Sequence, residues 1–202
     1  MVFYWYDEAM LRREVHTRGI VVSRRAAGEG SVRVELYTEE LGLVSAIAKS
    51  AREERSKLRP HLLVGTRGTY SLVRGKEVWR LTGAVKTKNF AFECVDDEGR
   101  CAGARLVSVV RQFVHGEGTD EGLFDALWNF YEVLSDLPPT HVAAAERIAV
   151  LQLLSSLGYV PQDPEIQKYL VAAYKDDVLS DAERDRRTLV TAINEGFAAS
   201  GL

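Results

Sequence analysis

The chain has 202 residues, 46% of them hydrophobic, enough to bury a core in one or two domains. Its formal net charge of −3 would by itself argue against a polyanionic partner, but residues 1–90 carry 17 Lys and Arg against 10 Asp and Glu, while residues 91–202 carry 9 against 19. No stretch approaches the roughly 18–20 apolar residues of a membrane helix, and two cysteines, Cys94 and Cys101, are too few for a disulfide framework.

Such an asymmetry points to a polyanion on the basic side; the competing reading is that the charges only solvate two faces of one body. No export signal is recognised, because Met1-Val2-Phe3-Tyr4-Trp5-Tyr6 is too short an apolar run and Asp7-Glu8 comes directly after it. The expectation is a cytoplasmic protein with free thiols. Residues 1–15 are a possible extension, with Phe3, Tyr4, Trp5 and Tyr6 either packing on the strand-rich half or belonging to a start-site extension.

The first half has strand period. Gly19–Arg25 is a first strand, followed by a glycine-bearing turn at Ala26-Ala27-Gly28-Glu29-Gly30. Val32, Val34 and Leu36 alternate with Arg33, Glu35 and Tyr37 in a half-buried second strand. Leu43–Lys49 is a third. Residues 50–60 are polar, charged and end in Pro60, which fits an exposed mobile loop or one short helix. His61–Arg74 is a fourth strand region, bent at Gly65 or Gly68, and Glu77–Lys88 a fifth with Trp79, Leu81 and Val85 on one face. Five short strands in this span suggest a small antiparallel barrel of the OB class, and an SH3-like barrel fits the same count.

The second half has helix period, with the boundary placed in Asn89–Gly103 near Asp96-Asp97-Glu98-Gly99. A helix over residues 102–115 is followed by one carrying Leu123, Leu127, Phe130, Leu134 and Leu137 on one stripe, stopped by Pro138-Pro139. Thr140 caps a nearly all-apolar helix from His141 to Leu157, Asp163-Pro164 opens another, and Ser180-Asp181-Ala182-Glu183 reads as a capping box opening the last. The fold class is therefore α+β: a five-stranded barrel over residues 1–90, then an all-α domain of about five helices over residues 91–202.

Catalytic signatures are missing. Cys94 and Cys101 have no second pair, His16, His61, His115 and His141 are scattered, and no dinucleotide or phosphate-loop glycine pattern occurs. A nuclease or ligase fragment would need a carboxylate–metal cluster or an active-site lysine that the sequence does not offer. The basic residues offer more. On a regular fifth strand Lys76, Arg80, Lys86 and Lys88 share one face. Lys49, Arg52, Arg55, Lys57 and Arg59 decorate the segment after the third strand, Arg24, Arg25 and Arg33 flank the first hairpin, and Arg74 leads into the turn before Lys76. Together they can track a phosphate backbone with steep salt dependence. Tyr37 is the candidate for stacking on a base because it shares the face of Arg33, whereas Trp79 is read as core.

Several segments resemble the RecO family of recombination mediators: Thr17-Arg18-Gly19-Ile20-Val21-Val22 followed by Gly28-Glu29; Leu36–Val44 (LYTEELGLV); Ala46-Ile47-Ala48-Lys49-Ser50-Ala51-Arg52 with Ser56-Lys57-Leu58-Arg59; and Val73-Arg74-Gly75-Lys76-Glu77 with Trp79-Arg80-Leu81-Thr82. In the second half, Leu153-Leu154 through Leu157-Gly158-Tyr159-Val160-Pro161 is similar to the family's segment after its central helix. The resemblance implies an N-terminal OB-fold and a helical C-terminal domain. It also implies binding and annealing of single- and double-stranded DNA, action with RecR to replace single-stranded DNA-binding protein (SSB) by RecA, and no bond made or broken.

Two departures stand out. The four-cysteine zinc site of many members is missing after Gly158, where Pro161-Gln162-Asp163-Pro164 leads into a helix, so zinc is not expected. The family's Asp/Asn-Arg pair after Gly-Glu-Ala is replaced by Ser31-Val32, and period-2 geometry puts Arg33 on the opposite face from position 32. Lys49 and Arg52 match the family's basic loop. The acidic, apolar SSB tail would need a basic and apolar pocket, for which Arg147, Arg184, Arg186 and Arg187 are candidates, although Glu146, Glu183 and Asp185 stand close enough in sequence to pair with them. The alternative of a different class is an adaptor whose barrel binds another subunit without touching DNA.

Overall fold

The computed structural model describes residues 14–94, 96–160 and 163–201, so Phe3, Tyr4, Trp5 and Tyr6 lie outside the described residues. The chain forms two compact units, one running to Asn89 and including Gly116–Thr119, the other comprising Phe90–His115 and the residues from Asp120 onward.

The first unit is an OB-like barrel of β1 (Glu14–Ala26), β2 (Val32–Thr38), β3 (Gly42–Ala48), β4 (Thr66–Arg74) and β5 (Trp79–Asn89). The strands close in the order β1-β2-β3-β5-β4, and β4 returns to β1. Every pairing is antiparallel except a two-residue parallel contact of β3 with β5. Alternation drives the closure: Val32, Val34, Leu36, Val44, Ala46 and Ala48 point inward and meet Leu72, Trp79 and Leu81 in one apolar cluster. Between β1 and β2 the register slips at Val22, a bulge that lets Ile20, Val21 and Val22 all be buried.

Several strand bounds move from the sequence reading: β1 begins at Glu14 rather than Gly19, and β5 at Trp79 rather than Glu77. β4 begins at Thr66 rather than His61, because Arg59–His61 forms a single 3-10 turn. The segment from Ser50 to Leu58 is neither a helix nor an unanchored loop. It is a run of tight turns, with Ala51 fully buried and the Arg52 N–H donating to the Gly30 carbonyl at 2.8 Å.

The short segment Gly116–Thr119 belongs to the barrel. The Leu43 N–H donates to the Gly116 carbonyl and the Gly118 N–H to the Leu41 carbonyl, each at 3.2 Å, so the strap extends the start of β3. It passes so close to Gly42 that a Cβ there would collide with the Gly118 carbonyl.

The second unit contains α1 (Phe90–Glu93), α2 (Asp97–Phe113), α3 (Glu121–Val133), α4 (Pro139–Ser156), α5 (Pro164–Leu170), α6 (Asp176–Arg184) and α7 (Arg186–Ser200). Helix α4 is the axis: Ile148, Leu151 and Leu154 are fully buried, and α2, α3, α5, α6 and α7 all pack on it. Asp96, Asp120 and Asp163 cap α2, α3 and α5, accepting from the backbone N–H of Gly99, Leu123 and Glu165. Thus α2 starts five residues before the expected position.

Two expected caps are corrected. Pro138, not Thr140, occupies the N-cap of α4, with Pro139 pre-set for the first helical position. The Ser180–Glu183 motif lies inside α6, because buried Leu179 and Ala182, three residues apart, form that helix's inward stripe. The last helix starts at Arg186 without a side-chain cap, and the described helices number seven rather than about five.

Candidate nucleic-acid interface

Strand register decides which cations share a surface. Arg25, Arg33, Ile47 and Arg80 are successive partners across β1, β2, β3 and β5. The three arginines are exposed on the outer face. With strands about 4.8 Å apart, Arg33 stands one step from Arg25 and two steps, about 10 Å, from Arg80. Arg33 Nη1 donates to Ser45 Oγ at 3.2 Å, which steadies the middle of the row.

The neighbouring row of Arg24, Val34, Ala46, Trp79 and Arg74 faces the other way, and its three middle members are buried. Arg24 is therefore half-buried at one end. At the other end Arg74 lies over the Trp79 indole, 5.0 Å from the ring centroid. Glu117 of the strap accepts from Arg74 Nη1 and, at 3.0 Å, from Trp79 Nε1. Partial burial works to raise the Glu117 carboxyl, but the hydrogen bonds from Arg74 and Trp79 outweigh it and hold the group below the usual carboxylate value. Arg74 is thus already neutralised. So is Arg18, whose Nε and Nη2 grip the Glu39 carboxylate at 2.7 and 2.5 Å and lower its pKa.

The fifth strand does not present the expected cationic face. Its register against β4 slips twice, between Ser71 and Leu72 and again between Arg67 and Gly68, and each slip inverts the alternation beyond it. Lys76 lies in the β4–β5 turn, Val85 is 69% exposed instead of packing beside Trp79 and Leu81, and Lys88 is half-buried. The Lys86 N–H donates to Nδ1 of His61 at 2.9 Å, which gives that histidine a structural partner. Trp79 is in the core as expected, but Tyr37 is a correction. It is 1% exposed, because Leu36, Tyr37 and Thr38 are all buried where both faces of β2 are covered, so it offers no face for a base.

Lys49, Arg52, Arg55, Lys57 and Arg59 are all exposed on the connection from β3 to β4. The anchoring of Arg52 at Gly30 brings it to the first hairpin, where Arg24, Arg25, Ala26, Val32 and Arg52 line a cleft of about 240 Å³. Sequence reading missed Arg67, a cation buried inside β4, because a charged residue between strand neighbours reads as outward-facing.

In the helical unit, α2, α4 and α7 border an apolar groove of about 520 Å³. Val109, Val150, Val190, Ile193 and Phe197 line it together with Arg105 and Arg147. Arg105 grips Glu146 with two bonds of 2.5 and 2.6 Å, and Arg147 donates to Glu183. Of the four arginines expected near a pocket, only Arg147 lines this groove; Arg184 pairs with Asp181 within α6, and Arg186 and Arg187 are exposed at the start of α7.

Among the described residues no group of three or more His, Cys, Asp or Glu side chains is placed to hold a metal ion, and no helix is long and apolar enough to cross a membrane. Cys94 is buried and Cys101 exposed, both as free thiols. Burial and the Asp96 carboxylate push the Cys94 thiol up against the opposing pull of Arg100, which makes it a poor nucleophile.

Comparison with known proteins bears on the same unit. Residues 10–90 match the family model described as Recombination protein O N terminal. The chain is 27% identical over 146 residues to a DNA repair protein RecO of Dehalococcoides mccartyi, covering 72% of this chain and 57% of that protein. It is 29% identical over 146 residues to a protein of the same name from Gloeobacter violaceus, covering 71% and 55%. A third, from Heliobacterium modesticaldum, is 29% identical over 150 residues, covering 74% and 54%. The chain thus spans a little over half the length of the curated relatives it matches.

Proposed function

We propose that this chain, a member of the RecO family through its N-terminal domain, is a cytoplasmic DNA-binding recombination mediator in DNA repair. The observation that carries this reading is the register-aligned row Arg25, Arg33 and Arg80 on one barrel face, extended by Arg52 and Lys49 at its edge. Guanidinium groups at strand spacing can neutralise successive phosphates, and by lowering the repulsion between two strands they favour annealing. Base pairing supplies the driving energy, so no chemical step and no catalytic residue are required. Arg55, Lys57 and Lys76 add exposed charge on the connections between strands, while Arg59 lies in the turn that packs on β5 at Lys86, toward the far end of that strand where Lys88 also stands. Arg74 contributes only if Glu117 gives it up.

The test is binding of fluorescent single-stranded DNA across a salt series, together with the rate of annealing of complementary oligonucleotides. Affinity is expected to fall linearly on a log–log plot with a slope of about −0.7 for each phosphate neutralised, and annealing is expected to accelerate. Absence of binding at low salt would move the reading to the alternative, an adaptor whose barrel binds another subunit.

Action with RecR to replace SSB by RecA is the fuller form of the same proposal. For the SSB tail, the α2–α4–α7 groove supports docking better than the arginines of the last helix do, since it joins an apolar lining to Arg105 and Arg147. An acidic, apolar peptide placed there competes with Glu146 and Glu183 for those guanidinium groups. Val150→Glu is expected to weaken binding of a fluorescent SSB-tail peptide by tenfold or more, by about 1.4 kcal/mol or above, and to leave DNA binding intact. Equal peptide affinity for both proteins would remove the groove from the proposal.

A further inference from the structure

We propose that the cleft bounded by Arg24, Arg25 and Arg52 is a binding site for one phosphate group, and that a strand-terminal phosphate monoester is the form it fits best. The inference rests on the reading of the barrel as a DNA-binding unit and adds which part of the DNA this corner recognises.

Three guanidinium-bearing residues line a cleft of about 240 Å³, and no carboxylate lines it with them. Arg24 Nε is covered and has no hydrogen-bond partner among the described residues, so a small turn of this side chain toward a phosphate oxygen in the cleft would satisfy a donor that is otherwise left unmet. The walls are held before any ligand arrives. Ala26 pairs with Val32, the Ala27 N–H donates to the Ser31 carbonyl at 3.1 Å, and the Arg52 N–H is tied to Gly30. A preorganised cleft spends little binding energy on ordering its own residues. Val32 and Ala26 supply apolar wall, where a charge-assisted bond is stronger than in open water.

Guanidinium forks match the tetrahedral oxygens of phosphate, so the chemical class is set by the arginines. The terminal form is favoured on two grounds. A backbone diester carries a single negative charge, whereas a terminal monoester carries about −1.5 to −2 at neutral pH and balances three cations better. A small recess also admits a group with one ester substituent more readily than one that must lead chain out on both sides. Arg25 pairs directly with Arg33 across β1 and β2. A strand whose end sits in the cleft therefore lays its next phosphates along the Arg33–Arg80 row.

The test compares 5′-phosphorylated, 3′-phosphorylated and hydroxyl-ended oligothymidylates of equal length, with side-chain Nε–H NMR of the full chain followed during titration with thymidine 5′-monophosphate. At least one phosphate-ended strand is expected to bind about tenfold more tightly than the hydroxyl-ended strand, the gain of one added charge-assisted hydrogen bond. The nucleotide is expected to shift the Arg24 Nε–H signal. Arg24→Gln and Arg52→Gln are each expected to erase the discrimination between ends, with amide spectra showing that both variants fold.

If DNA binds but neither the ends nor the Arg24 signal respond, the cleft proposal is overturned and the DNA reading stands. If the nucleotide shifts Arg24 while DNA does not bind, the phosphate site stands and the DNA reading falls. If a hydroxyl-ended strand shifts Arg24 as strongly as a phosphate-ended one, the preference for a terminal group is overturned in favour of an internal phosphate.

Discussion

Replacing Arg25, Arg33 and Arg80 together with glutamine is expected to weaken single-stranded DNA binding on the order of a thousandfold at moderate salt, roughly tenfold for each charge-assisted phosphate bond removed. The log–log salt slope should become shallower by about 2, since each phosphate neutralised on a single strand contributes about 0.7. Glutamine keeps the chain polar and the three side chains are exposed, so the barrel core is untouched. The matched control removes the same number of cations at Arg184, Arg186 and Arg187. The net charge of −3 falls by the same amount in both variants, so a difference between them reads the row itself rather than overall charge. Equal weakening by the two variants would show that overall charge rather than the row governs binding, and would return weight to the adaptor reading.

Much of the fold is legible in the sequence because it is written in short periods. The alternation in Val32–Leu36 and the apolar run Ile148–Leu157 need only their own neighbours to be read, and the OB-like barrel with helices after it can be inferred from them. The errors occur where long-range geometry overrides the local period. No local feature marks the two register slips of β5 against β4, yet they turn Val85 outward, split Lys76, Arg80, Lys86 and Lys88, and leave Lys88 half-buried. Tyr37 alternates like a surface residue, but both faces of β2 are covered at its end. The Ser180–Glu183 motif has the composition of a cap, and the burial of Leu179 and Ala182 decides that α6 continues through it.

The candidate site is half legible for the same reason. Arg24, Arg25, Arg33, Arg52 and Arg80 can each be named from the sequence. Aligning Arg33 with Arg80 depends on the parallel β3–β5 pairing between residues far apart in the chain, and bringing Arg52 to the first hairpin depends on its bond to Gly30. Nor does composition show which cations are already engaged. Arg74 and Glu117 are 43 residues apart, so the sequence alone counts Arg74 as available when it is not.

Gly42→Ala is expected to destabilise the barrel unit by about 3–5 kcal/mol, far more than an alanine at a solvent-exposed glycine of the same backbone conformation. Gly42 has φ +69, a left-handed value that costs an ordinary residue about 1–2 kcal/mol. The remainder comes from the strap. A Cβ at residue 42 collides with the Gly118 carbonyl, backbone that can yield only by moving away. That movement breaks the Leu43–Gly116 and Gly118–Leu41 hydrogen bonds, worth about 1 kcal/mol each, and withdraws Glu117 from Arg74 and Trp79. Gly116→Ala is the internal control, because Gly116 has φ +75 but nothing within 4 Å of its would-be Cβ, so only the backbone cost of about 1–2 kcal/mol applies. Urea unfolding monitored by circular dichroism measures the difference, and amide exchange at Leu43 and Gly118 localises it. The same displacement frees the Arg74 guanidinium at the barrel surface, so Gly42→Ala should lose stability while its salt slope for DNA steepens. Matching stabilities for the two variants would mean that the strap yields without cost, and an unchanged salt slope would mean that Glu117 does not hold Arg74 back from a phosphate.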